Sequence, residues 1–119
     1  MGNVLNNRYR DPAFTGALTA VPNSAGDQLL VCWNLCGYAV NAYLKLFNGS
    51  STTGIILGST APVVTLFVPA NGTAFFSNEG DAQWQFKDGI VVASTTTLGD
   101  NGSTITPIYL DIQWTPNTN

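Results

Sequence analysis

The chain has 119 residues, a length that suits one domain, and 45% of them are hydrophobic, which argues against disorder. It carries only four basic and seven acidic residues, 9% of the total against a typical quarter, and no histidine. A net charge of −3 without a basic cluster argues against a nucleic-acid partner, whose affinity comes largely from Lys and Arg on phosphates. No apolar run approaches the roughly 18 residues of a membrane span, so no membrane partner is expected.

The N-terminal stretch, MGNVLNNRYRDP, lacks a basic segment followed by an apolar one, so no signal peptide is expected. Met1-Gly2 opens a myristoylation-like pattern that Asn6 then breaks. Residues 1–27 are rich in Asn, Pro and Gly and lack sustained periodicity. They read as an extended N-terminal arm, with Arg8, Tyr9, Arg10 and Phe14 as a small basic-aromatic cluster on an otherwise neutral chain. Arg and Tyr are favoured interface anchors, so this cluster is a candidate contact with a partner.

Residues 28–119 read as a series of short strands. The first, 28–34, places Leu29, Val31 and Trp33 in phase. Further strands follow at 38–47, 63–68, 73–77, 82–86, 90–97 and 105–114, the last notched at Pro107. In the second strand Leu44 and Leu46 alternate with Tyr43, Lys45 and Phe47, the period-2 signature of one buried face. Asn48-Gly49, Asn71-Gly72 and Asn101-Gly102 supply turn residues that tolerate positive φ. All three begin formal glycosylation sequons, but turn chemistry accounts for each. Seven or eight strands separated by turns, with no amphipathic helix, predict an all-β antiparallel β-sandwich, jelly-roll-like, behind the arm.

Catalytic chemistry finds little material here. Triads and dyads that need histidine are excluded. Glu79 and Asp81 share an apparent turn, where a carboxylate pair is at most a weak calcium site needing several more oxygens. Gly54 and Gly58 lack the Lys and helix of a phosphate-binding loop. Neither an enzyme nor a cofactor is expected. Cys32 and Cys36 are spaced wrongly for a thioredoxin-type pair and lack the further ligands of a zinc site. They are either two small apolar thiols or a disulfide across a tight turn.

The aromatics divide by phase. Trp33 falls with Leu29 and Val31, Trp84 with Phe86, and Trp114 with Leu110 and Ile112, which places all three indoles on the apolar side. Tyr43, Phe47, Phe67 and Tyr109 fall on the opposite phase. With Lys45 they are candidates for a partner-binding surface, unless both faces of a central strand are covered within one subunit.

The run Tyr43-Leu44-Lys45-Leu46-Phe47-Asn48, then Ala61-Pro62-Val63, Leu66-Phe67-Val68-Pro69-Ala70-Asn71-Gly72 and Gln85-Phe86-Lys87-Asp88-Gly89-Ile90-Val91-Val92-Ala93, with the late Ile108-Tyr109, resembles small proteins of tailed bacteriophages. There a Y-x-K-x-Y/F-N strand leads to P-V-x-x-x-x-V-P-A-G and then F-x-x-G-I-x-x-A-x-T. The resemblance spans about residues 40 to 110 and consists of strand and turn patterns. Residues 1–27 and the cysteine pair fall outside it. It implies a virion component made in the bacterial host cytoplasm: a capsid decoration (cement) protein on the capsid surface. Such a protein would bind the major capsid protein as a homo-oligomer, expected to be a trimer. The alternative is a receptor- or glycan-binding module of a tail or fibre.

Overall fold

The computed structural model describes residues 7–77 and 84–118. Among the described residues nine strands make up the regular structure: β1 (Asn7–Phe14), β2 (Thr19–Ala20), β3 (Gln28–Gly37), β4 (Ala42–Asn48), β5 (Val64–Val68), β6 (Thr73–Ser77), β7 (Trp84–Phe86), β8 (Ile90–Thr95) and β9 (Ile108–Pro116). They form two antiparallel sheets, β1-β9-β3-β6 with β7 also on β3, and β2-β8-β4-β5. The all-β, sandwich-like architecture expected from the alternating pattern is what the chain adopts.

The pairings nest around one loop. β4 pairs β5 across loop 49–63, β3 pairs β6 and β7, β2 pairs β8, and β1 pairs β9, all antiparallel. The chain thus runs as one long hairpin whose paired halves are laid alternately into the two sheets. Leu30, Leu35, Ile108, Leu110, Ile112 and Trp114 of the first sheet meet Ala42, Leu44, Leu46, Val68 and Val92 of the second in one core. Each of these residues is essentially sealed from water, and such burial stabilises by about 1.5–3 kcal/mol per large apolar side chain.

Residues 7–27 are not an arm. β1 is an edge strand of the first sheet, paired with β9 from Asn7 opposite Trp114 to Phe14 opposite Ile108, with a register shift between Asp11 and Phe14. β2 adds to the second sheet beside β8. The crossover between them turns at Gly16, whose φ of +96° suits only glycine and whose missing side chain lets Thr106 O and Ser94 O approach. A Cβ there would lie 2.5 Å from Thr106 O.

A bulge interrupts β3. Leu30 faces Trp114 and Cys32 faces Gln113 on β9, which leaves Val31 as the extra residue. The expected phase of Leu29, Val31 and Trp33 therefore fails. Leu30 points inward before the bulge, and Trp33 and Leu35 point inward after it. Of the predicted turns, Asn71 does adopt positive φ, at 52°.

Candidate functional site

The outer face of the first sheet gathers the polar chemistry. Arg8 on β1 reaches Asp111 on β9: its Nε donates to Oδ1 at 2.9 Å and its Nη2 to Oδ2 at 2.6 Å. The guanidinium is half exposed, whereas the carboxylate side chain is only 7% exposed. Asp111 raises the Arg8 pKa further, first through the hydrogen bond and then through its charge. Two residues along each strand, Arg10 Nε donates to the Tyr109 hydroxyl at 2.8 Å, and its guanidinium carbon lies 5.6 Å from the ring centroid. Arg8, Asp111, Cys32, Asn34, Gln113 and Phe75 line a shallow depression of about 220 Å³ on this face.

Cys32 and Cys36 are free thiols on β3. Four residues along a strand separate their Cα atoms by roughly 13 Å, beyond the about 7 Å limit for a disulfide. The two-thiol alternative is therefore the one the backbone permits. Burial pushes the Cys32 thiol up, the Asp111 charge adds to this, and Arg8 opposes both. Cys32 is thus a protonated, poorly nucleophilic group beside the depression.

The outer face of the second sheet is mostly covered by the chain's own loops. Phe47, Val91 and Ala93 form a second apolar cluster under Leu18, Ala20, Ile55 and Leu57. Lys45 is also buried, its Nζ donating to Gly99 O at 2.6 Å and Gly102 O at 3.3 Å. Desolvation lowers its pKa and the nearby Asp100 charge resists. Lys45 and Phe47 therefore act within the subunit and are withdrawn from the predicted partner surface. Tyr43 and Phe67 do stay on the outward side, paired across β4 and β5 with ring centroids 5.4 Å apart.

Two further candidates turn inward. Phe14 is enclosed in the main core, and Tyr9 packs against it with its hydroxyl donating to Asp11 at 3.5 Å. Strand alternation explains Tyr9, since Arg8 and Arg10 on either side of it point outward; Phe14 shares their parity and is turned inward by the register shift between Asp11 and Phe14. Of the nine predicted interface residues, Arg8, Arg10 and Tyr109 share one outer face, Tyr43 and Phe67 share the other, and Tyr9, Phe14, Lys45 and Phe47 are internal. Glu79 and Asp81 lie outside the described residues.

The feature not foreseen is an aromatic margin along β6 and β7. Phe75 is 70% exposed, Phe76 43% and Trp84 44%. Phe76 stacks on half-buried Trp33 with centroids 4.8 Å apart. Trp84 keeps the inward phase of Phe86, yet its edge strand leaves it half in water, so only Trp114 of the three indoles is fully enclosed. The run Thr73-Ala74-Phe75-Phe76-Ser77 held the signal: two adjacent Phe in a strand must send one ring to each face.

No family model, curated protein or solved structure matches the chain.

Proposed function

We propose that this chain is a structural virion protein, a bacteriophage capsid decoration (cement) protein that binds the major capsid protein from outside as a homo-oligomer. The nested winding of the strands carries the reading. With β6 and β7 taken as one interrupted strand, eight strands lie as β1-β9-β3-β6/β7 against β2-β8-β4-β5. That supports a jelly roll, a plan used by viral capsid and lectin domains. The resemblance of residues 40 to 110 to small phage proteins points the same way. The described surface is mostly amides, hydroxyls and scattered aromatic and aliphatic side chains with few charges, which suits adhesion over an area more than proton transfer.

The experiment compares particles with and without this protein. Capsids lacking it lose integrity at lower temperature, because a ligand that binds only the assembled lattice stabilises it by mass action. Particles of unchanged heat stability count against the cement role.

A tail receptor- or glycan-binding module is the second reading. Half-exposed Trp84 and the depression beside Phe75 favour it, since an aromatic ring flanked by amides and a carboxylate suits a sugar. In that case particles keep their capsid stability but fail to adsorb to host cells, and glycans quench Trp84 fluorescence saturably.

A further inference from the structure

Each sheet of the sandwich has two edges, and they are not equivalent. β1 is guarded by Arg8, Arg10, Asp11 and Pro12, and β2 is only two residues long. Charge, proline and shortness are the usual means of preventing edge-to-edge pairing. The edge strand β5 (VTLFV) lacks charge and proline too, but Pro62 and Pro69 flank it and only Phe67 of its five residues is exposed, whereas β6 has none of these protections and four of its five residues are exposed. β6 is five residues of TAFFS with no charge and no proline, in unshifted register with β3 and without a second strand partner among the described residues.

The hydrogen-bond parity of β6 is fixed. Gly37 N–H donates to Gly72 O at 2.9 Å, one step beyond the Cys36–Thr73 pair. Bonded and non-bonded pairs alternate in an antiparallel ladder. Leu35–Ala74 and Trp33–Phe76 are then the bonded pairs with β3, and Thr73, Phe75 and Ser77 direct their N–H and C=O groups to the open side.

We propose that this edge is occupied by β6 of a second copy of the same chain, paired antiparallel about a twofold axis through Phe75. The segment is self-complementary in that register. Phe75 meets Phe75, and Thr73 meets Ser77, giving an aromatic cross-strand pair flanked by two hydroxyl pairs. About six backbone hydrogen bonds close the ladder. β6 and β7 carry no charge, so no like charges meet within the ladder.

The area is of the right order. Aromatic side chains bury roughly 150–250 Å² each, so the exposed portions of Phe75, Phe76 and Trp84 amount to about 300 Å² per copy. Complete enclosure of these rings in both copies would remove about 600 Å², over half of the roughly 1,000 Å² of apolar area in a standard-size interface. The contact is isologous, so it makes a closed dimer and not the trimer expected from the sequence. It stands apart from the capsid reading, whose own test is unaffected by its failure.

Light scattering on the full chain reports it. A mass of twice the 12.6 kDa of the chain is expected at about 100 µM. Phe75→Lys places two ammonium groups face to face, and raises the dimer dissociation constant at least about tenfold. Phe75→Cys in a Cys32→Ser, Cys36→Ser background gives a covalent dimer on oxidation. In a bonded antiparallel pair the Cα atoms sit about 5.5 Å apart, inside the roughly 4.4–6.8 Å disulfide range. The cross-link decides the matter even where the lysine variant folds poorly. A monomer at about 100 µM, a trimer, or a dimer that forms no Phe75→Cys cross-link overturns the proposal.

Discussion

Arg8 and Asp111, 103 positions apart in sequence, are joined by two parallel hydrogen bonds of 2.9 and 2.6 Å that tie the first strand to the last. The bidentate geometry is the strong form of a carboxylate contact. The environment of the two partners is unequal: Arg8 extends into solvent, whereas Asp111 is almost enclosed.

That inequality sets an order of mutational effects. Arg8→Ala strands a nearly buried carboxylate, while Asp111→Ala merely returns an arginine to water. Arg8→Ala therefore lowers the urea midpoint more than Asp111→Ala, and Asp111→Ala added to Arg8→Ala recovers part of the loss. Equal midpoints for the two single variants would mean that the pair is a solvent-screened surface contact.

Removing residues 1–20 takes away β1, β2 and the core ring of Phe14. The truncated chain loses cooperative unfolding, and Phe14→Ala alone costs about 3–5 kcal/mol, the usual range for deleting a buried ring. Circular dichroism melting checks both. A truncated chain that melts like the whole one restores the detached arm.

Why β1 escaped the sequence while β4, β5, β6 and β8 did not is a matter of what each strand faces. β4 alternates Leu44 and Leu46 against outward residues, and turn residues bound it, so period 2 is plain. β1 is an edge strand whose outward positions carry Arg8 and Arg10 and whose inward signal is only Tyr9 and Phe14, with a register shift between Asp11 and Phe14. The β3 bulge defeated phase arithmetic in another way, since one added residue at Val31 exchanges the two faces downstream. Lys45 and Phe47 had the correct phase. What covers them are the chain's own loops at 49–63 and 98–103, a long-range packing that alternation does not encode.

Lys45 offers a pH test. Its folded-state pKa lies below the ordinary lysine value of 10.5, with desolvation as the main cause. The unfolded chain therefore binds the proton more tightly, and stability rises with pH as Lys45 loses its charge in the folded state. Relative to Lys45→Met, the native protein gains stability as the pH is raised toward 10.5 and is at a relative disadvantage at neutral pH. Cys32 titrates in both proteins and cancels in the difference. Urea titrations of both proteins across this range read the slope; a slope of opposite sign would mean that Gly99 O and Gly102 O favour the ammonium more than burial opposes it.

The capsid role is tested most directly by where the protein sits on its particle. Cryo-electron microscopy of the parent virion, compared with particles lacking this protein, is predicted to show difference density repeating over the capsid lattice and bridging neighbouring major capsid subunits. Difference density confined to the tail tip or fibres, with a bare capsid lattice, would contradict it.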